Sequence, residues 1–226
     1  VLNMGQTILT PKQSEFLEFA KSESQIVKHF YLTGGTALAE FYLHHRLSED
    51  IDLFSEKYEV NQSATDAFLK KISSKLKITH IERSQFLGLF SYILTYKDNQ
   101  KLKIDFNYYP FLRIETKRKF GNLQIDSLID IAANKIHTLF MKPRTRDYID
   151  LFFIFKDKSM DLNALILLAK AKFDWDIDKM NLANQFIRVK DIKKEDYPKV
   201  LIPFSLDEME NFFLTLAKNL KKDILK

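Results

Sequence analysis

Cysteine is absent from this 226-residue chain. Its absence excludes disulfides and thiolate-held metal and fits a reducing compartment. Long apolar runs are missing as well: Leu151-Phe152-Phe153-Ile154-Phe155 and the stretch at 164–169 are too short to span a bilayer. The basic, apolar, small-residue order of a signal peptide is not seen, so the expectation is a soluble cytoplasmic protein with no membrane partner. Repeats and low-complexity segments are lacking too. What is abundant is core material: 46% of the chain is hydrophobic, with 20 Phe and 9 Tyr. That suits one large domain or two small ones sharing an interface. The formal net charge of +5 is a modest excess that favours a polyanionic partner such as RNA.

Glycine is scarce, with five in all, yet Gly34 and Gly35 are adjacent. They end an apolar run and lead into a helix-like segment. A glycine turn at that position lets backbone N–H groups approach a triphosphate without a Cβ in the way, and Thr36 can cap the helix or add its hydroxyl. The plain alternative is an ordinary tight turn. The pattern is neither a Walker loop nor a dinucleotide-binding Gly-x-Gly-x-x-Gly. Shortly after comes Asp50-Ile51-Asp52-Leu53-Phe54. On a strand, Asp50 and Asp52 share a face and repel unless a cation neutralises them. Paired carboxylates beside a phosphate-sized turn suggest metal-dependent chemistry on a nucleotide. A third carboxylate is needed, and Asp105, on another predicted strand, is the best candidate. Its alternative is a solvent-facing strand residue.

Thr10, Pro11 and Gln13 form a helix start, and the helix is expected to run over 11–27. Predicted strands follow at 29–33 and 50–55, with a helix at 36–45 between them. A surface helix at 61–77 precedes strands at 79–85, 89–96 and 101–108, the last two joined at Asp98-Asn99. The last strand's polar face brings Lys101, Lys103 and Asp105 together. Lys117-Arg118-Lys119 and Gly121 read as a connector to helices at 126–141, 146–155, 162–173, 178–188 and 206–220, with Pro143 breaking the first. The expected division is an α/β core over 1–120 and a helical region over 121–226 that completes a cleft.

Leu128, Ala132, Lys135 and Leu139 share one helical phase, so Lys135 lies in an apolar stripe. It must snorkel, pair or point into a cleft. Asp147 shares a phase with Leu151 and Ile154, and Asp150 follows one turn on. The five histidines form no convincing metal set. His44 and His45 diverge by about 100° on a helix, and packing or capping suits His45 better than zinc.

Gly34-Gly35-Thr36, His45-Arg46-Leu47-Ser48-Glu49, Asp50-Ile51-Asp52, the later Asp105, and Lys135 followed by Arg146-Asp147 occur in that order. Together they resemble the polymerase-beta-type nucleotidyltransferase superfamily, and within it the AbiEii-like nucleotidyltransferase toxins. The resemblance spans roughly residues 30 to 155. It implies an α+β fold: a polymerase-beta-like nucleotidyltransferase domain, a mixed sheet with flanking helices, followed by a helical region. It implies transfer of a nucleoside monophosphate from an NTP to an acceptor hydroxyl. Asp50, Asp52 and Asp105 would hold Mg²⁺ or Mn²⁺, and Asp147 would join them in catalysis. Gly34, Gly35, Thr36, Lys135 and Arg146 would bind the triphosphate. It further implies a toxin acting on RNA, with the 3′ end of tRNA as acceptor, and a cognate antitoxin. A small-molecule or protein acceptor, or a non-catalytic nucleotide- or RNA-binding module, are the alternatives.

Overall fold

The computed structural model describes residues 7–116, 118–158 and 160–224. The chain divides into two compact units, Val1–Tyr42 with Ser48–Ser127, and Leu43–Leu47 with Leu128–Lys226.

The first unit begins with α1 (Pro11–Ala20). Its start is the capping box read from sequence: Gln13 N–H donates to Thr10 Oγ1 at 3.2 Å, and Thr10 N–H donates to Gln13 Oε1 at 2.9 Å. The helix is shorter than its expected run to residue 27. Ser22 and Glu23 N–H groups reach back only three residues, to Phe19 and Ala20, and the Ser22 hydroxyl donates to the Phe19 carbonyl at 3.1 Å. A serine that offers the backbone a local alternative breaks the ladder there. A separate α2 (Ser24–His29) then leads to β1 (Tyr31–Thr33).

After β1, α3 (Gly34–Leu38) starts two residues before its expected position and widens into a π-helical turn over Ala39–Leu43. Next come β2 (Asp50–Ser55) and α4 (Gln62–Leu76), capped by Asn61 and ended by left-handed Lys77. The strands β3 (Ile78–Phe86), β4 (Leu89–Tyr96) and β5 (Lys101–Tyr108) follow as an antiparallel meander. Asn99, at φ 62°, makes the last turn.

Of the basic connector expected before Gly121, Arg118 and Lys119 lie instead on an edge strand, and Lys117 lies outside the described residues. β6 (Arg118–Phe120) and β7 (Leu123–Ile125) form a hairpin around Gly121, whose φ of 57° suits glycine. β7 then pairs in parallel with β1. The seven strands run in the order β3-β4-β5-β2-β1-β7-β6. This carries the first unit to Ser127.

Alternation on β2 buries Ile51 and Leu53 and leaves Asp50 and Asp52 on the opposite face. The buried layer continues through Leu102, Ile104 and Phe106 of β5. Phe106 meets Phe30 and Tyr92 edge-on at 5.1 and 5.8 Å between ring centroids.

The second unit contains α5 (Leu128–Met141), α6 (Thr145–Lys158), α7 (Leu162–Phe173), α8 (Lys179–Ile187) and α9 (Leu206–Ile224). Asp161 and Asp178 cap α7 and α8 by accepting from the N–H groups of Ala164 and Asn181. Its core is aromatic: Phe212 meets Phe152 and Phe213 edge-on, and Phe186 lies tilted against Phe213. Lys172 and Asp130 form a fully buried ion pair at 2.7 Å between α7 and α5. No helix among the described residues is long and apolar enough to cross a membrane.

Candidate active site

The parallel pairing of β2 with β5 sets Asp50 opposite Lys103 and Asp52 opposite Asp105. Positions i and i+2 of a strand share a face, so these four charged side chains lie on one face of two neighbouring strands. Asp50 and Asp52 are half-buried, and Asp105 is 8% exposed. Asp50, Asp52 and Asp105 are the three carboxylates singled out from the sequence. Lys103 lies between them, its Nζ 2.6 Å from Asp105 Oδ2 and 3.7 Å from Asp50 Oδ2. Partial burial works against its charge. The hydrogen bond and charge of Asp105, with the charges of Asp50 and Asp52, outweigh that and raise its pKa above the ordinary lysine value.

Gly34 begins α3 at φ 73°, a conformation that favours glycine. A Cβ there would stand 2.1 Å from Asp52 Oδ2, so the backbone at Gly34 lies against the Asp52 carboxylate. Thr36 does not cap the helix. Its hydroxyl donates to the Asp50 carbonyl and ties α3 to β2. Thr33, opposite Asp52 on β1, donates its hydroxyl to Asp126 Oδ2 at 2.6 Å. A glycine turn, two strands and a buried threonine therefore hold the Asp50–Asp52 segment in place.

The donor set fits a hard divalent cation: oxygens only, on neighbouring strands, with Asp105 Oδ1 buried and unpartnered. Among the described residues, no three His, Asp or Glu side chains stand gathered to hold a metal ion. Here Lys103 takes Asp105 Oδ2 and approaches Asp50, so side-chain rotation on the fixed strands is needed for the carboxylates to converge.

Lys135, Arg146 and Asp147 belong to the second unit. Of the outcomes open to Lys135, the structure shows pairing: its Nζ lies 2.7 Å from both Asp147 Oδ1 and Asp150 Oδ2. Asp147 and Asp150 are fully buried. Arg144 Nε donates to Asp147 Oδ2 at 2.9 Å. Asp150 also accepts from Arg46 Nε at 2.6 Å, Arg46 Nη2 at 2.9 Å and His45 Nε2 at 2.8 Å. The backbone of this loop is held too: Leu201 N–H donates to the His45 carbonyl, and Leu47 N–H to the Lys199 carbonyl. Arg146 is exposed and has no ion pair among the described residues.

Burial works against charge on both aspartates. The Lys135 charge, with Arg144 at Asp147 and Arg46 at Asp150, overcomes it and holds both below the usual carboxylate range, Asp150 furthest. Burial, aided by the Arg46 and Lys135 charges, holds His45 below the ordinary histidine value despite Asp150. A neutral His45 that donates through Nε2 leaves Nδ1 as a bare acceptor, and Nδ1 is indeed buried without a partner.

In the sequence Asp150 stands out only as lying one turn after Asp147, with nothing to pair it with Arg46. No signal in one sequence links residues 104 positions apart. Lys103 was placed on the right face, but its bond to Asp105 needed the register.

A family model described as "Nucleotidyl transferase AbiEii toxin, Type IV TA system" matches residues 17–219. An uncharacterized protein of Aquifex aeolicus (strain VF5) is 29% identical over 211 residues, covering 93% of this chain and 96% of its own. A solved structure of a putative nucleotidyltransferase from H. pylori aligns with 95% of this chain and 97% of its own, at 19% identity and a TM-score of 0.60. MenT4, a nucleotidyltransferase toxin from Mycobacterium tuberculosis H37Rv, aligns with 92% of this chain and 82% of its own, at 12% identity and a TM-score of 0.53. At these identities the two structures bear on the fold alone.

Proposed function

The chain belongs to the AbiEii nucleotidyl transferase toxin family and has a polymerase-beta-like nucleotidyltransferase fold, and from that premise we propose a divalent-cation-dependent transfer of NMP from an NTP to an RNA hydroxyl, with release of pyrophosphate. The observation that carries this reading is the face shared by Asp50, Asp52 and Asp105, with the Gly34 backbone pressed on Asp52. Asp50, Asp52 and Asp105 are the residues that would hold Mg²⁺ or Mn²⁺. Such a cation, when bound, supplies charge neutralisation for the phosphates and for the leaving pyrophosphate.

The chain's own groups do the rest by position. Gly34 and Gly35 bring backbone N–H groups to the phosphates, and Thr36 keeps that turn fixed to β2. Asp105 Oδ1, buried and unpartnered, orients the acceptor hydroxyl or takes its proton. Within the second unit, exposed Arg146 is the phosphate contact we propose. Lys135 and Asp147 fix Arg144 beside it.

The 3′ end of tRNA is the acceptor we favour, and a cognate antitoxin is the partner. The net charge of +5 supports the first and the family supports the second. The test is incubation with each α-³²P-labelled NTP, Mg²⁺ and either total RNA, a protein mixture or small alcohols. Label on RNA of tRNA size is expected. Label on protein or a small alcohol overturns the RNA acceptor. No label in any mixture, with NTP bound, points to a non-catalytic module.

A further inference from the structure

Three carboxylates and one ammonium share the face formed by β2 and β5, and the ammonium is not at its margin. Lys103 Nζ is within hydrogen-bond distance of Asp105 Oδ2 and within ion-pair distance of Asp50 Oδ2. The register explains why: Lys103 stands directly opposite Asp50 and two residues before Asp105 on the same face. Asp105 is thereby divided. One oxygen is occupied by Lys103, and the other is buried with no partner.

A buried carboxylate oxygen without a partner is disfavoured unless function uses it. A carboxylate held by one oxygen loses rotational freedom in the other, which is how a supporting side chain orients a ligand. We propose that Lys103 is a positioning residue of the transfer site, holding Asp105 by Oδ2 so that Oδ1 is presented to the divalent cation and the acceptor, while its charge tempers the pull of the carboxylates on that cation. This rests on the nucleotidyl-transfer reading. It adds a residue that the reading does not contain.

Lys103 is more enclosed than the lysine that shares its strand face. Its side chain is 39% exposed, against 60% for Lys101 on the same strand and 66% for Lys71 on α4. An exposed pair contributes little to stability, and its loss would not alter cation binding. A lysine seated among cation-binding oxygens has the opposite signature. Removing it takes a positive charge from among three carboxylates, which then draw a divalent cation more strongly but hold it with a misaligned Asp105.

The experiment compares the full-length protein with Lys103→Met and Lys103→Arg. Mn²⁺ binding is read by electron paramagnetic resonance without nucleotide. Label transfer from α-³²P-NTP to total RNA is read at saturating Mg²⁺. Lys103→Met is expected to bind Mn²⁺ about threefold to tenfold more tightly through lost charge repulsion. It is also expected to transfer label at least about tenfold more slowly, because Asp105 is no longer held. Lys103→Arg keeps the charge and the donor, and should return Mn²⁺ affinity and most of the rate to wild type. A wild-type rate in Lys103→Met, or weaker Mn²⁺ binding, overturns the proposal while leaving nucleotidyl transfer intact. A wild-type protein that binds no Mn²⁺ and labels nothing overturns the underlying reading instead. Should Lys103→Met not fold, Lys103→Arg decides alone: a rate no better than that of Asp105→Asn overturns the proposal.

Discussion

Gly34 and Asp52 are so close that a methyl group on Gly34 would stand 2.1 Å from Asp52 Oδ2. The same glycine has φ 73°, so an alanine there meets both a clash and backbone strain. Gly34→Ala is expected to lower stability by about 1–3 kcal/mol through that strain. It should also push Asp52 away and reduce transfer by at least about a hundredfold through misplacement of a ligand. Thermal melting and label transfer measure the two effects. A folded variant with wild-type transfer would mean that the glycine turn plays no part in the chemistry.

Asp52→Asn tests the carboxylate face without altering its shape. An amide holds Mg²⁺ poorly, and neutralising one of three crowded carboxylates relieves repulsion. Transfer should vanish while the melting temperature stays the same or rises. Asp50→Asn should behave alike. Near-wild-type turnover in either folded variant removes the central claim.

The Asp150 network makes a different prediction. Asp150 neutralises Arg46 and Lys135, each less than one-tenth exposed. Taking one partner from a buried ionic network leaves uncompensated charge, which costs about 3–5 kcal/mol. Asp150→Ala should therefore lower the denaturant midpoint sharply, and Lys135→Met should do so too, because Asp147 and Asp150 lose a shared ammonium. Denaturant titrations of both variants that matched wild type would leave the network without a stabilising role.

The same network sets a pH dependence. His45 is held below the ordinary histidine value, so the unfolded chain binds its proton first. Its contribution is complete above about pH 6.5 and declines as pH falls. Asp147 and Asp150 are held low, so their contributions are present above the ordinary carboxylate value near pH 4 and are lost below it. Both effects have one sign, and stability should fall continuously from about pH 7 to pH 3. His45→Gln keeps a donor towards Asp150 and removes the titration. Urea melts of that variant should show a flatter slope between about pH 7 and 5. An unchanged slope would assign the loss to other groups.

How much of this was legible depended on the range over which each signal acts. β2 was legible to the residue because Ile51 and Leu53 alternate with Asp50 and Asp52. The capping box at Thr10 and Gln13 is equally local. The break after Ala20 turns on a serine hydroxyl choosing a carbonyl, which periodicity does not register. β6 and β7 are three residues each, too short for alternation to declare itself, and the basic side chains of β6 imitate a connector. At the site, same-face geometry placed Asp50 and Asp52 together and put Lys103 with Asp105. What united the two pairs was the parallel register of β2 and β5, strands about fifty residues apart. Lys135 was legible as a lysine that needed a partner. Which partners it found was a matter of tertiary structure.

The last prediction concerns the acceptor. If it is RNA, basic side chains must contact phosphates, and binding must weaken steeply as salt rises. Arg118 and Lys119 on the edge strand β6 are exposed; their neighbour Lys117 lies outside the described residues. The Arg118 guanidinium sits 4.8 Å from the Tyr42 ring centroid and 5.6 Å from that of Phe41. A stacked guanidinium keeps its outer N–H groups, so Arg118 can meet a phosphate without leaving the rings. Among the described residues Lys119 has no such anchor, and it should be the more salt-sensitive contact. Replacing Lys117, Arg118 and Lys119 together by glutamine should weaken RNA binding and flatten the salt slope. Each lost contact is worth about 0.7 in the slope for a single strand. NTP binding should change little, because these residues lie outside the carboxylate face. Arg118→Gln alone should also lower stability slightly through the lost ring contact, which Lys119→Gln should not. Filter binding over a salt series separates the outcomes, and an unchanged slope in the triple variant would rule out this edge of the sheet as the RNA contact.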